Sequence, residues 1–420
     1  MDEPNRRQPP SVHPRYSASI SDNSSTSRTV LLVGGGSGGH IYPNLAVVER
    51  LTPELPPEIT PHLVVSQRPL DAKIAEDSGL GFTAIPAAPL SVRPRAGLKF
   101  LKAYRQGQAA TAGLIRETNA AAMIATGGFV SGPAVSAARK AGLPVALVSL
   151  DAVPGRANRF AAKKATSVFS AFETHAGAKP LPGAEVIGFP LRRSAVAPES
   201  VKPQAAREYF GLDPARKTLL VFAGSQGART INRSMVEVLS NTNSVSAMDG
   251  WQVMHVSGPA EQEDVEVGYF RMAIEAGNRN LGEPVPAKID INANTLIHVL
   301  SFCDRMDLAW RAADFAVTRC GAGTVAEAWG NAVPSVMLPY PFHKDEHQKH
   351  NAAPLVELGG AVVVKDRIEP EANAESLRKI FASVLVDDAK RDAMSRSLRD
   401  NPPRDGAQRL AAWVASTICA

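Results

Sequence analysis

The chain twice runs from an apolar, β-branched segment through a glycine-rich turn into a helix-forming segment, and this repeated unit constrains its fold more than any other feature. The first copy is Thr29 to Val33, Gly34 to Gly39 and Tyr42 to Leu51; the second is Thr218 to Phe222, Gly224-Ser225-Gln226-Gly227-Ala228 and Ile231 to Leu239. Each copy is followed by further strand-helix alternation. In the first half His62 to Val65, Met123 to Ala125 and Pro144 to Leu150 read as strands, and Thr126-Gly127-Gly128-Phe129 opens a helix ending near Lys140. In the second half Gln252 to Val256, Phe315 to Thr318 and Pro334 to Leu338 read as strands, and Gly321-Ala322-Gly323-Thr324 opens a helix running to about Trp329. Such alternation predicts doubly wound parallel sheets with ligands at the carboxyl ends of the strands.

A chain of 420 residues exceeds what one core organises, so the two units predict two α/β domains with a cleft between them. The expected boundaries are a disordered tail over 1–28, a first domain over 29–192, a linker over 193–206 and a second domain over 207–420. The last helix, Ala407 to Thr417, can pack on either domain. The tail is rich in Ser, Pro, Arg and Asn and lacks the apolar core of a secretory signal. The less patterned stretch from Val265 to Ala293 reads as an insertion.

No apolar run approaches the ~20 residues of a membrane-spanning helix. Cys303, Cys320 and Cys419 are scattered without disulfide or metal spacing, which fits a reducing compartment. With 46 Lys plus Arg against 41 Asp plus Glu, the net charge of +5 favours anionic partners. The charge is not gathered into the basic face of a nucleic-acid binder, so no nucleic acid is expected.

Gly34, Gly36 and Gly39 fit the spacing of a dinucleotide-binding turn, yet Val65 is followed by Ser66-Gln67-Arg68 where an NAD site carries an acid. That disfavours NAD and leaves an NADP-dependent oxidoreductase as an alternative. The general physics of the turn is wider: glycines admit close approach, and the helix N-terminus offers free N–H groups to a diphosphate. A turn serving only tight packing is the plain alternative. His40 follows the turn, where an imidazole can act as general base toward an alcohol. Ser225 and Gln226 can hydrogen-bond a phosphate or sugar. Glu327 stands three residues after Thr324, a spacing that fits either a capping box or a carboxylate accepting from two ribose hydroxyls. The polar run from His343 to Ala352 lacks a recognised metal-ligand spacing; it reads as a solvated helix start or as sugar recognition by Gln348 and its neighbours.

Taken in order, these motifs resemble the MurG family, GT-B glycosyltransferases that convert lipid I to lipid II in peptidoglycan synthesis. The resemblance runs from about Val30 to the C-terminal helix. It rests on Gly35-Gly36-Ser37-Gly38-Gly39-His40-Ile41-Tyr42-Pro43, Thr126 to Pro133, Gly188-Phe189-Pro190-Leu191-Arg192, Gly224 to Arg229, Gly321 to Glu327 and His347 to Ala352. It implies a GT-B fold of two Rossmann-like domains, with UDP-GlcNAc as donor substrate, lipid I as acceptor and no required cofactor or metal. His40 is then the candidate base or a contact to the acceptor diphosphate, and Ser37, Gly38 and Gly39 belong to the same substrate-binding turn. Arg192 and Ser225 would meet the donor diphosphate, with Gln226 beside them. Ala322, Gly323 and Thr324 would cover the donor with backbone N–H groups. Glu327 would hold the ribose, and His347 and Gln348 would read the GlcNAc hydroxyls.

The chain departs from the family where His-Glu-Gln-Asn is replaced by Val148-Ser149-Leu150-Asp151, so an acceptor-side Asn becomes Asp151. His347 replaces one of two glutamines, and Ala223 replaces a glycine. The resemblance also implies a peripheral enzyme on the cytoplasmic face of the inner membrane, with roles in cell shape and division and with other cell-wall or division proteins as partners. Arg93, Arg95, Lys99, Lys102 and Arg105, interleaved with Leu98, Phe100 and Leu101, form the candidate patch for an anionic membrane. A diacylglycerol glycosyltransferase of the same fold and a non-catalytic sugar-nucleotide binder are the remaining alternatives.

Overall fold

The computed structural model describes residues 27–419 apart from 52–55, 57, 90–93, 176, 225–226, 242–247, 293–294 and 343–346. The expected tail over 1–28 lies outside the described residues as far as 26, and Arg28 already belongs to the first strand. In the first half, seven strands form one parallel sheet: β1 (Arg28–Val33), β2 (Ile59–Ser66), β3 (Phe82–Ile85), β4 (Ala120–Ala125), β5 (Val145–Ser149), β6 (Ser167–Ser170) and β7 (Glu185–Val186). Their order is β3-β2-β1-β4-β5-β6-β7. The second half has β8 (Lys217–Phe222), β9 (Trp251–Val256), β10 (Lys288–Asn292), β11 (Thr295–Leu300), β12 (Phe315–Thr318), β13 (Ser335–Met337) and β14 (Ala361–Val363). They are ordered β10-β11-β9-β8-β12-β13-β14, with only β10 and β11 antiparallel.

The central strands are apolar on both faces because helices cover both: β5 is buried at every position, as is β9. Strand order reverses between β1 and β4 in one sheet and between β8 and β12 in the other. At those points adjacent loops diverge to opposite faces and leave a crevice at the carboxyl ends of the strands. The glycine turns sit at both crevices.

Two expectations need correction. The stretch from Val265 to Ala293 is no loose insertion: the helix Gln262–Glu275 buries Val265, Tyr269, Phe270, Met272 and Ala273, and β10 then pairs with β11. The apolar residues recur at helical spacing among acidic neighbours, which masks them from a simple hydropathy reading. The first helix also begins earlier than Tyr42, spanning Gly38–Leu51 with Pro43 inside it. His40 is therefore in its first turn, and Pro43 leaves the Gly39 carbonyl without its intrahelical donor.

The two halves are tied together. The helix Pro203–Tyr209 starts within the stretch read as linker and packs on the second half, where Arg207 pairs with Asp314 at 2.8 Å. The terminal helix Gly406–Ile418 returns to the first half. Its preceding Asp405 accepts from buried Arg50 at 3.2 Å, and Trp413 Nε1 donates to Ser167 Oγ at 3.0 Å. One hydrophobic cluster runs through this junction, from Val30 and Leu32 to Leu410 and Trp413.

Candidate active site

In the first half the loops after β1 and β4 touch. The Thr126 hydroxyl donates to the His40 carbonyl at 2.6 Å, and His40 Nδ1 lies 3.0 Å from the Thr126 carbonyl. A carbonyl oxygen can only accept, so Nδ1 carries a proton, and in that neutral tautomer the lone pair is on Nε2. Among the described residues Nε2 has no hydrogen-bond partner. The ring rests on the Gly127-Gly128 backbone: a Cβ on Gly127 would sit 3.1 Å from His40 Cε1. Gly128, at φ +75°, has no room for a side chain, because its Cβ would run into the Gly35 carbonyl.

The turn between β1 and its helix is braced from below. Asp71 is fully buried, and its Oδ2 accepts from the Gly36 amide and the Ser66 hydroxyl, each at 2.5 Å. Arg68 donates to the Gly36 carbonyl at 2.8 Å and stacks over Phe129 at 4.9 Å. The acid and the arginine nearest the end of β2 are thus both engaged by the protein. That removes the groups an NAD or NADP ribose would need. Ser37 and Gly39 stay exposed beside them.

In the second half a cavity of about 400 Å³ opens between the ends of β8, β12 and β13. Gly224, Gly227, Arg319, Thr324, Tyr340 and Gln348 are among its walls. Ser225 and Gln226 lie outside the described residues. Gly227, at φ +70°, fits tightly against the Ser257 carbonyl. That carbonyl in turn accepts from Asn232 at 2.8 Å, and Asn232 Oδ1 holds buried His255 at 3.0 Å. Burial pushes the His255 pKa down to about 3, so this brace stays neutral.

The helix Ala322–Gly330 makes its first intrahelical bond from Val325 N to Gly321 O. The amides of Ala322, Gly323 and Thr324 precede that bond and are available to a ligand. Thr324 is inside the helix, so it cannot be the cap of a capping box. Glu327 instead accepts from Trp310 Nε1 at 3.0 Å. Burial pushes the Glu327 carboxyl above its usual range, against the pull of the Trp310 N–H and the Arg192 charge. Arg192 also lies 4.4 Å over the Tyr42 ring, which comes from the His40 helix.

Arg319 forms the floor of the cavity. It donates to the Leu338 and Pro339 carbonyls, to Thr230 Oγ1 at 2.5 Å and to Asp366 Oδ2 at 2.6 Å. Burial alone would raise the Asp366 pKa; hydrogen bonds from Thr230, Asn373, Arg319 and the Ile368 amide outweigh it and hold the group below the ordinary carboxylate range. Gln348 Oε1 accepts from the Tyr340 amide at 2.9 Å, and His347 opens the same short helix, His347–Asn351.

Asp151 is drawn into the junction between the halves. Its Oδ1 accepts from Asn351 Nδ2 at 2.9 Å, while Asn351 Oδ1 accepts from the Ala152 amide at 2.9 Å. His175 stacks on His350 at 3.5 Å beside them. The structure thus brings His40 together with the Thr126 turn, and Arg192 with Glu327. Sequence reasoning missed Asp71, Thr126, Trp310, Arg319 and Asn351 as partners. Arg319 carried a usable signal, a lone cation between an apolar strand and a glycine turn. Apart from the Ser66 bond to Asp71, five residues away, the others act through contacts 17 to 200 residues apart, which no local pattern reports.

The chain is similar in sequence and fold to known proteins. The Glycosyltransferase family 28 N-terminal domain matches residues 30–170, and the Glycosyltransferase family 28 C-terminal domain matches residues 218–410. A relative from Leifsonia xyli subsp. xyli is 35% identical over 396 residues, covering 93% of this chain and 99% of its own. One from Acidothermus cellulolyticus is 35% identical over 398 residues, covering 93% and 98%. Both are named as transferases of N-acetylglucosamine to N-acetylmuramyl-(pentapeptide) pyrophosphoryl-undecaprenol. The crystal structure of Acinetobacter baumannii MurG superposes with a TM-score of 0.66 at 22% identity, over 93% of this chain and 99% of that one, and shares the fold. The chain belongs to the MurG family of UDP-N-acetylglucosamine-dependent N-acetylglucosamine transferases, within glycosyltransferase family 28.

Proposed function

We propose that the chain transfers N-acetylglucosamine from UDP-GlcNAc to the muramoyl 4-hydroxyl of lipid I, giving lipid II and UDP. One observation carries the reading. Arg192 lies over the ring of Tyr42, two residues beyond His40, and its charge acts on the Glu327 carboxyl, so one arginine links the helix of the candidate base to the candidate donor carboxylate. The first half, 29–192, takes the acceptor and the second, 207–420, takes the donor, with 193–206 between them.

The step is a single inverting displacement. The 4-oxygen forms a bond to the anomeric carbon as the bond to UDP breaks, and His40 Nε2 takes the hydroxyl proton. Charge appearing on the diphosphate is met by Arg192, by the free amides of Ala322, Gly323 and Thr324, and by Ser225 with Gln226. Glu327 holds the ribose, and His347 with Gln348 reads the sugar hydroxyls. On the acceptor side, Ser37, Gly38 and Gly39 present the turn, and Asp151 takes the place of the acceptor-side Asn. Labelled UDP-GlcNAc, UDP-glucose and UDP-galactose, each offered with a short-chain lipid I analogue, test the reading. Transfer from UDP-GlcNAc alone supports it; equal transfer from all three, or none, contradicts it.

A lipid-linked acceptor requires docking on the anionic cytoplasmic face of the inner membrane. Leu98 and Leu101 are 71% and 43% exposed on the helix Pro94–Glu117, and Phe160 is 44% exposed. Lys99, Lys102 and Arg105 are exposed around the two leucines, and Lys164 lies 4.1 Å over the Phe160 ring. Arg93 is outside the described residues. Replacing Lys99, Lys102 and Arg105 by Ala removes three charges worth about 1 kcal/mol each at such a surface. Binding to phosphatidylglycerol vesicles should weaken roughly 100-fold, as read by co-sedimentation. Unchanged binding would move the docking face elsewhere.

A further inference from the structure

We infer that Trp310 is a positioning residue of the donor site, holding one oxygen of Glu327 so that the other selects a ribose over a 2′-deoxyribose. The inference rests on the donor reading above. Trp310 belongs to the helix Met306–Ala312, is fully buried, and reaches Glu327 Oε2 with its Nε1–H at 3.0 Å. An indole has one N–H and no acceptor, so burial obliges it to find an oxygen. A glutamate side chain has several rotatable bonds to fix, and a bond from a rigid, buried ring removes that freedom before any ligand arrives.

The same ring also meets Phe222 edge-on, with centroids 6.3 Å apart. Phe222 ends β8 and leads into the Gly224 turn. One side chain therefore registers the ribose carboxylate against the strand that carries the diphosphate turn. Glu327 Oε1 has no partner among the described residues. Its remaining charged neighbour is Arg192. One carboxylate oxygen is thus held, and the other is left to accept from a hydroxyl. Packing alone would be served by an apolar ring of the same size; the N–H is what the inference needs.

The test compares KM for UDP-GlcNAc with KM for its 2′-deoxyuridine analogue. The wild-type chain should favour the ribose donor. In Trp310→Phe, KM for UDP-GlcNAc should rise roughly tenfold, the loss expected for a hydrogen bond to a charged group, while KM for the deoxy donor moves little. The ratio of the two then falls toward one. Because Phe leaves space in the core, β-(3-benzothienyl)alanine at position 310 is the second variant: it keeps the ring volume and lacks the donor. A collapsed ratio in both variants supports the inference. An unchanged ratio in the benzothienyl variant, with a collapsed ratio in Glu327→Gln, overturns it and leaves the donor reading intact. An unchanged ratio in Glu327→Gln overturns the ribose role of Glu327 and this inference with it.

Discussion

His40→Ala should lower kcat by about 10²- to 10⁴-fold, the range for loss of a general base, while UDP binding is unchanged. The Thr126 carbonyl 3.0 Å from Nδ1 fixes the proton on that nitrogen, so Nε2 is the atom able to accept one. Thr126 also holds the His40 backbone through its hydroxyl, and glycines at 127 and 128 let the ring lie flat on the turn. Proton transfer needs an Nε2 without a proton, whereas binding an anion needs a proton on it. The two roles separate in kinetics. A base gives a loss concentrated in kcat; a diphosphate contact gives a raised acceptor KM with kcat largely kept. Steady-state rates with a lipid I analogue, beside UDP titration by calorimetry, distinguish them.

Arg319→Met should destabilise the second half by about 3–5 kcal/mol, because it leaves a buried carboxylate without its cation. Asp366 is almost wholly enclosed, and Arg319 is its one ion-pair partner among the described residues. The loss corresponds to a fall in Tm on the order of 10 °C for a unit of this size. UDP binding should weaken as well, since the arginine supports Thr230 and the carbonyls of Leu338 and Pro339 around the cavity. The pH dependence has a definite sign. A carboxylate whose folded pKa is depressed adds stability above its unfolded pKa, and that stability is lost as pH falls through the folded value. Removing Arg319 raises the folded value. The gap between wild type and variant is then full near neutrality and narrows in acid, once the variant's Asp366 takes a proton. Adding Asp366→Asn should recover part of the loss at neutral pH, since no unpaired charge remains. Calorimetric scans between acid and neutral pH check both points.

The parts of this molecule visible in its sequence are those whose signal is local. β1, β4, β5, β8, β12 and β13 each join an apolar run to a glycine or proline boundary, and the two glycine turns mark where the strand order reverses. β3, β6 and β7 are four residues or fewer, and β14 is three, too short to show a period. Candidate site residues beside a glycine turn, such as His40 and Thr324, were equally legible. Their partners were not. The Asp71 bond to Gly36 spans 35 residues and the Asn351 bond to Asp151 spans 200, so they exist only once the chain is folded. Glu327 marks the boundary between the two kinds of evidence. Its spacing from Thr324 allowed a capping box, and only the position of the helix start and of Trp310 removes that reading.

Transfer to the muramoyl 4-hydroxyl is decided by the structure of the product made from UDP-GlcNAc and a short-chain lipid I analogue, determined by NMR. One new β-linked N-acetylglucosamine is expected on the muramoyl 4-oxygen, with one UDP released for each linkage formed. Free N-acetylglucosamine with UDP, an α-linkage, or attachment at another hydroxyl would contradict it.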